Sequence, residues 1–122
     1  MAVFFEAFGA FEIFGLFFEF LSQGYKPVLA HFERYAFLFG SIDKAAEWRE
    51  KGINIQLNFN SLSGHYGPEV KAQAELLIDE KLVDFVATDC HRMDHLMILE
   101  ANLKRPYIHK LAELNLKNRD LL

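Results

Sequence analysis

The chain contains 122 residues, enough for one small domain with a modest hydrophobic core. Hydrophobic residues make up 52% and charged residues 25%, which excludes a disordered chain. A net charge of −4 argues against nucleic-acid binding, which requires clustered Lys and Arg. Cys90 is the single cysteine, so an internal disulfide is excluded and a reducing, cytoplasmic location is expected.

The N-terminal third is rich in phenylalanine, with eleven of the thirteen Phe in the first 40 residues. Such a segment could be mistaken for a signal peptide or a membrane span. It has no Lys or Arg at its N-terminal end, however, as a signal peptide would. It also contains Glu6, Glu12 and Glu19, whose carboxylates are costly inside a bilayer. We therefore predict no membrane span and a segment buried against another surface, with association between copies as one way to cover it.

The chain then alternates short apolar runs with longer amphipathic runs. Gly24 and Gly52 are typical helix ends, Pro68 suits the first turn of a helix, and residues 53–58 alternate apolar and polar side chains as strands do. Residues 61–67 form a turn-rich loop. Strands are predicted over residues 3–5, 27–31, 53–58 and 83–88, and helices over 12–23, 42–51, 68–81 and 94–103, with a last short helix starting at 111–114.

This order predicts an α/β fold with parallel strands and crossover helices. Three of the predicted strands end in an ionisable residue, namely Glu6, His31 and Asp89. In α/β folds, ligands bind beyond the carboxyl ends of the strands, so the chemistry is expected there. Four strands cannot close a barrel of eight, so the chain is expected to form part of one.

Asp89-Cys90-His91 is the sharpest local motif. Residues i and i+2 of an extended segment point the same way, so Asp89 and His91 could meet one metal ion, and their donor atoms suit Mn, Fe or Zn. So short a pattern is explained more often by a loop Asp and an exposed His. Cys90 would face the opposite way, which favours a structural role over a nucleophilic one.

Other polar residues near the strand ends have two interpretations each. His31 could be a ligand or a hydrogen-bonded structural residue. Arg34 could bind a phosphate oxygen through its planar guanidinium, or form a surface salt bridge with Glu33. Gln56, followed by Asn58 and Asn60, could bind a polar ligand or satisfy backbone groups of the loop. Surface positions are expected for His65, Tyr66, His95 and His109, and a core position for Trp48.

Three segments together resemble the bacterial capsular-polysaccharide tyrosine phosphatases of the PHP (polymerase and histidinol phosphatase) superfamily. Residues 24–35 read GYKPVLAHFERY, similar to the family's GYxPVLAHPERY, with Phe32 in place of proline. Residues 51–67 carry QLN and SLSGHYG, and residues 86–91 read VATDCH, similar to its GxxxQLNxxSLxGxYG and ASDAH segments. The tail NRDLL is similar to NPxxLL. The match covers residues 24–122 and leaves residues 1–23 as a divergent Phe-rich segment of a single partial PHP domain spanning 1–122.

The resemblance implies the C-terminal half of a distorted PHP-type β/α barrel with a metal site at the strand ends. It implies Arg34 as a catalytic residue that contacts the phosphate, and Gln56 as a further substrate-binding residue. The implied metal ligands are His31, Asp89, His91 and Glu6. The family begins with an Asp-x-His-x-His strand, which is not found in this sequence, so a truncated half domain is expected.

The implied cofactors are divalent metal ions, manganese first, with iron, zinc or magnesium as alternatives. The implied substrate is phosphotyrosine on a protein of capsular or exopolysaccharide synthesis, such as a tyrosine kinase of polysaccharide export. A second interpretation within enzymes is a histidinol-phosphate phosphatase or another PHP phosphoesterase. A third is an inactive remnant that serves as an interaction or assembly module through the Phe-rich segment.

Overall fold

A computed structural model of the chain describes residues 2–3, 10–88, 93–102 and 106–118. Four parallel strands form one sheet in the order β1-β2-β3-β4: β1 Ala2–Val3, β2 Val28–Leu29, β3 Asn54–Asn58 and β4 Phe85–Ala87. The helices are α1 Ala10–Ser22, α2 Ile42–Glu50, α3 Pro68–Asp79, α4 Met93–Asn102 and α5 Pro106–Glu113. Short 3-10 helices cover Phe32–Arg34, Ala36–Leu38 and Phe59–Ser63.

The topology confirms the predicted α/β class. Parallel neighbours need a crossover, and α1, α2 and α3 supply the crossovers between successive strands. The carboxyl ends of β2, β3 and β4 therefore lie at the same edge of the sheet, which we call the carboxyl edge. Among the described residues, no helix combines the length and hydropathy needed to cross a bilayer.

The core lies on one face of the sheet. Ile55 and Leu57 alternate along β3 and are fully buried, whereas Gln56 between them is half-buried. Trp48 of α2 and Leu77 of α3 pack into the same cluster. The predicted core position of Trp48 is thus confirmed, and α2 and α3 are fixed against the sheet that they cross.

Two predicted elements differ from the structure. The strand predicted over 27–31 ends at Leu29, because His31 adopts a left-handed backbone conformation (φ 39°, ψ 56°) that extended chain cannot continue through. The last helix begins at Pro106 and not near Leu111, since a proline is well suited to the first turn of a helix. Of the strand predicted over 3–5, only Val3 lies within the described residues.

A buried carboxylate joins three elements at the opposite, amino edge of the sheet. The side chain of Asp84, just before β4, is 5% exposed and accepts hydrogen bonds from Arg49 Nε at 3.0 Å and Nη2 at 2.9 Å. Its Oδ2 also accepts the backbone N–H of Ile55 in β3 at 2.9 Å. Arg49 donates a further bond to the carbonyl of Lys81 at 2.9 Å. One ion pair therefore links α2, β3 and the start of β4.

Removal of Arg49 should destabilise the fold far more than removal of a nearby surface cation. Arg49→Ala removes both side-chain hydrogen bonds from the guanidinium to the buried Asp84 carboxylate and leaves, within the described ranges, only Lys117 Nζ, at 3.8 Å, as a cation beside it, which costs about 3 kcal/mol. Lys51→Ala is the matched control, because Lys51 and its partner Glu47 are both more than 40% exposed and solvent screens such pairs. Urea unfolding measures both variants, and equal losses in the free energy of unfolding would contradict the prediction.

Candidate active site

His31 stands at the carboxyl edge in a tight turn. It follows β2 by two residues, and its side chain is only 4% exposed. Its carbonyl accepts the backbone N–H of Arg34 at 2.9 Å, and its ring lies 5.6 Å from that of Tyr35. A non-glycine residue in the left-handed region is uncommon and strained, and such residues cluster at functional sites. The turn thus holds a buried imidazole where the fold is expected to place its chemistry.

Phe32 anchors this turn in the core. Its side chain is fully buried, and its ring meets that of Trp48 edge to face at 6.1 Å between centroids. The departure from the proline of the resembled motif therefore has a physical role in this chain. The aromatic contact fixes the 3-10 helix Phe32–Arg34 against α2.

Glu33 is a fully buried carboxyl group beside the candidate ligand. Its Oε1 accepts the backbone N–H of Asn58 at 2.8 Å and the hydroxyl of Ser61 at 2.6 Å. Within the described part of the chain, Oε2 has no hydrogen-bond partner. Burial raises the pKa of Glu33 to about 7, although the bonds from Ser61 and Asn58 lower it in part. The predicted surface salt bridge between Glu33 and Arg34 is therefore wrong, because this carboxyl group faces the interior.

The Arg34 side chain lies over an aromatic ring. Its guanidinium carbon is 4.3 Å from the ring centroid of Tyr66, a half-buried residue in the loop after β3. Tyr66 was predicted to be an ordinary surface residue, and its contact with Arg34 corrects that prediction. His65 next to it is exposed, as predicted, and so is His109 in α5.

The polar residues at the end of β3 divide into two groups. Asn58 supports the loop, since its side chain accepts the backbone N–H of Asn60 at 3.1 Å. Both residues are buried, and the structural interpretation holds for Asn58. Gln56 is half-buried on the strand face opposite Ile55 and Leu57, and its predicted part in substrate binding stays a prediction.

The other predicted ligands fall outside the described residues. Glu6, Asp89 and His91 are among them, as is Cys90, and the side chain of His95 is not described either. In the sequence, Asp89 follows the last residue of β4 by two positions, as His31 follows β2. Among the residues that are described, no three His, Cys, Asp or Glu side chains come together as a metal site would require. Of the predicted set, the structure thus places His31, Arg34 and Gln56.

Sequence reasoning missed two residues of this region. Glu33 was interpreted as a surface partner of Arg34. In the structure its carboxyl group is buried and accepts hydrogen bonds from Asn58 and Ser61 in another segment. Tyr66 gave one usable signal, because it lies in the SLSGHYG part of the motif, in the loop after β3. A motif residue beside the carboxyl edge is a candidate for contact with the site.

The chain is similar to one family of proteins by family model and by individual relatives. The family model described as "Capsular polysaccharide synthesis, CpsB/CapC" matches residues 6–112. The tyrosine-protein phosphatase YwqE of Bacillus subtilis (strain 168) is 32% identical over 117 residues, which cover 87% of this chain and 46% of that protein. A putative tyrosine-protein phosphatase CapC of Staphylococcus aureus is 33% identical over 76 residues, or 62% of this chain and 30% of that protein.

A solved structure also resembles the chain, with a TM-score of 0.65 and 28% identity over 84% of this chain and 43% of the other. It belongs to a study of YwqE from Bacillus subtilis and CpsB from Streptococcus pneumoniae, described as unique metal-dependent tyrosine phosphatases. The fold is therefore that of these PHP-type phosphatases. The chain spans less than half the length of these relatives.

The buried Glu33 predicts a specific pH dependence of stability in the metal-free chain. The unfolded chain loses this proton near pH 4.5, whereas the folded chain keeps it until about pH 7. The stabilisation by the neutral carboxyl group is therefore complete below pH 4.5 and is lost as the pH rises through 7, by about 3 kcal/mol in total. Glu33→Gln removes this ionisation.

The measurement is urea unfolding of wild type and Glu33→Gln from pH 4.5 to 7.5 with a chelator present. The free energy of unfolding of wild type minus that of the variant should fall across this range, because all other titrating groups are common to both proteins. A difference that stays constant with pH would contradict the prediction.

Proposed function

The chain belongs to the capsular polysaccharide synthesis family CpsB/CapC, and from this we propose that it supplies part of the active site of a metal-dependent phosphatase. The proposed substrate is phosphotyrosine on a protein of capsular or exopolysaccharide synthesis. One observation carries the proposal: a single strained turn at the carboxyl edge holds both the buried His31 and Arg34. An imidazole for metal and a guanidinium for phosphate are the two groups that such a reaction needs side by side.

The residues present fit a divalent metal ion. His31 offers an imidazole that is almost fully buried, and its left-handed backbone is the kind of strain that functional sites retain. We propose that Asp89 and His91, which follow β4 in the sequence, and Glu6, which follows β1, complete the ligand set with His31. Nitrogen and oxygen donors of this kind suit manganese, with iron, zinc or magnesium as alternatives.

A bound divalent metal would supply Lewis acidity, lowering the pKa of water toward neutrality and offsetting charge on the phosphoryl group. Arg34 binds the phosphoryl oxygens through its planar donors and compensates their negative charge. Gln56 lies two residues before the end of β3 and forms a hydrogen bond with the substrate, as donor or as acceptor. This division of labour requires no cysteine nucleophile, in keeping with the structural role predicted for Cys90.

The substrate class follows from the relatives, whose names describe tyrosine-protein phosphatases. We propose a phosphotyrosine protein of polysaccharide export, such as its tyrosine kinase, as the partner. The proposed location is the cytoplasm, which suits the single cysteine of the sequence.

Metal binding tests the proposal directly, and it is a better primary readout than turnover for a chain that spans less than half the length of its relatives. His31→Ala should weaken Mn²⁺ binding at least about 10-fold, because losing even a residue that supports a ligand costs that much. Isothermal titration measures the affinity, and turnover of p-nitrophenyl phosphate with added Mn²⁺ is followed in parallel.

His109→Ala is the matched control, since His109 is an exposed histidine of α5. It should bind Mn²⁺ as wild type does. Equal affinity of the His31→Ala variant and wild type would exclude His31 as a ligand. A wild-type chain that binds no Mn²⁺ at all would favour the non-catalytic interpretation instead.

One observation favours an assembly role as a second candidate function. In α1, Phe17 is fully buried, whereas the neighbouring Phe18 is 64% exposed and Leu16 is 39% exposed. Exposed apolar side chains of this size are typical of surfaces that contact another protein. The described part of the Phe-rich segment thus presents an apolar face to solvent, which supports association between copies of the chain.

Sedimentation velocity over a range of concentrations tests this second candidate. Wild type should associate as its concentration rises, and Phe18→Ser should shift the midpoint of association to higher concentration because it removes the most exposed aromatic ring of the described residues. Met93→Ser, which removes an exposed apolar side chain of α4, is the control and should leave the midpoint unchanged. A monomeric wild type at all concentrations would rule the assembly role out.

A further inference from the structure

The contact between Arg34 and Tyr66 joins two segments that are 32 positions apart in the sequence. A guanidinium 4.3 Å from a ring centroid lies well within the range of a cation–π interaction. The contact lies beside the turn that carries His31. It therefore acts on the side chain to which the proposed function assigns phosphate binding.

An aromatic ring holds a guanidinium in a way that a carboxylate does not. A carboxylate would occupy the donors of Arg34 and cancel its charge, whereas the face of a ring contacts the cation without taking up its N–H groups. The adjacent carboxylate, Glu33, is turned inward and bound by Asn58 and Ser61. Within the described part of the chain, Arg34 forms no ion pair, so its planar donors remain available for phosphoryl oxygens.

The position of the ring is itself fixed by the loop. Gly64 adopts a left-handed conformation (φ 87°) that a side chain would strain, and its carbonyl accepts the N–H of Gly67 at 3.0 Å. The hydroxyl of Ser63 accepts the N–H of His65 at 3.0 Å and donates to the carbonyl of Asn60 at 2.7 Å. Tyr66 is thus carried by a hydrogen-bonded turn, which Glu33 fastens to the segment of Arg34 through Ser61.

The geometry points to Tyr66 as a positioning residue that holds the Arg34 guanidinium at the carboxyl edge, ready for a phosphoryl group. The inference rests on the proposed function, since it presumes that Arg34 binds phosphate. It assigns to the SLSGHYG loop a part in substrate binding that acts through Arg34 and not through direct contact.

The experiment measures binding of phenylphosphonate, a non-hydrolysable mimic of phosphotyrosine, to the full chain with Mg²⁺ as a diamagnetic metal. The Arg34 Nε–Hε resonance reports both the ring-current shift from the aromatic side chain and the dissociation constant. Tyr66→Phe keeps the ring and should bind within about twofold of wild type. Tyr66→Leu removes the ring and should bind about 2- to 30-fold more weakly, the range expected for loss of a cation–π contact.

Two further variants separate positioning from a purely structural role. Trifluorophenylalanine at position 66 keeps the shape of a ring but weakens its attraction for cations, so it should bind more weakly than Tyr66→Phe while unfolding at the same urea concentration. In an Arg34→Ala background, Tyr66→Leu should cause no further loss. This non-additivity would show that Tyr66 acts through Arg34.

The outcomes are distinguishable. Tyr66→Leu with wild-type affinity, or with the same loss in the Arg34→Ala background, would overturn the role of Tyr66 while leaving that of Arg34 intact. An Arg34→Ala single variant that binds phenylphosphonate as tightly as wild type would overturn the proposed function of Arg34, and the inference with it. Graded weakening from phenylalanine to trifluorophenylalanine would support the inference even if the leucine variant fails to fold.

Discussion

The carboxyl group of Glu33 connects two segments that must both be in place before a site can exist at the carboxyl edge. One segment is the strained turn that carries His31 and Arg34, and the other is the end of β3 with its following loop. A single oxygen accepts bonds from the backbone of Asn58 and from the hydroxyl of Ser61. Burial of so polar a group is tolerated only because these donors replace part of its hydration.

This arrangement resolves a local conflict in the sequence. Phe32 must enter the core against Trp48, and the next residue, Glu33, is drawn inward with it, while Arg34 emerges toward the loop. Successive side chains of a 3-10 helix point in three different directions. In this turn Phe32 packs in the core, Glu33 binds the loop after β3 and Arg34 contacts Tyr66. The left-handed conformation of His31 provides the sharp exit from β2 that makes this possible.

The sequence predicted most of the framework because its signals were local. The alternation along β3, Pro68 at the start of α3 and Gly24 after α1 each indicate structure within a few neighbouring residues. His31 and Arg34 were predicted as site residues through a motif, and the structure places both in one short turn, while their roles stay predictions. The burial of Glu33 was not foreseen, since glutamate is mostly exposed and its partners lie 25 and 28 positions away. The contact of Arg34 with Tyr66 was missed for the same reason, because only the folded sheet brings these segments together.

The ion pair of Asp84 with Arg49 lies at the amino edge of the sheet, opposite the candidate site. It nevertheless affects the geometry of the carboxyl edge. The side chain of Asp84, directly before β4, accepts the backbone N–H of Ile55 in β3. This bond helps to fix the register between the two strands. A shift of one residue would move the end of β4 by about 3.3 Å and turn alternate side chains to the other face. The point along β3 at which β4 ends, two positions before Asp89 in the sequence, is thus fixed from the amino edge of the sheet. The ion pair at the amino edge therefore also acts on the carboxyl edge, about one strand length away, through the register of these two strands.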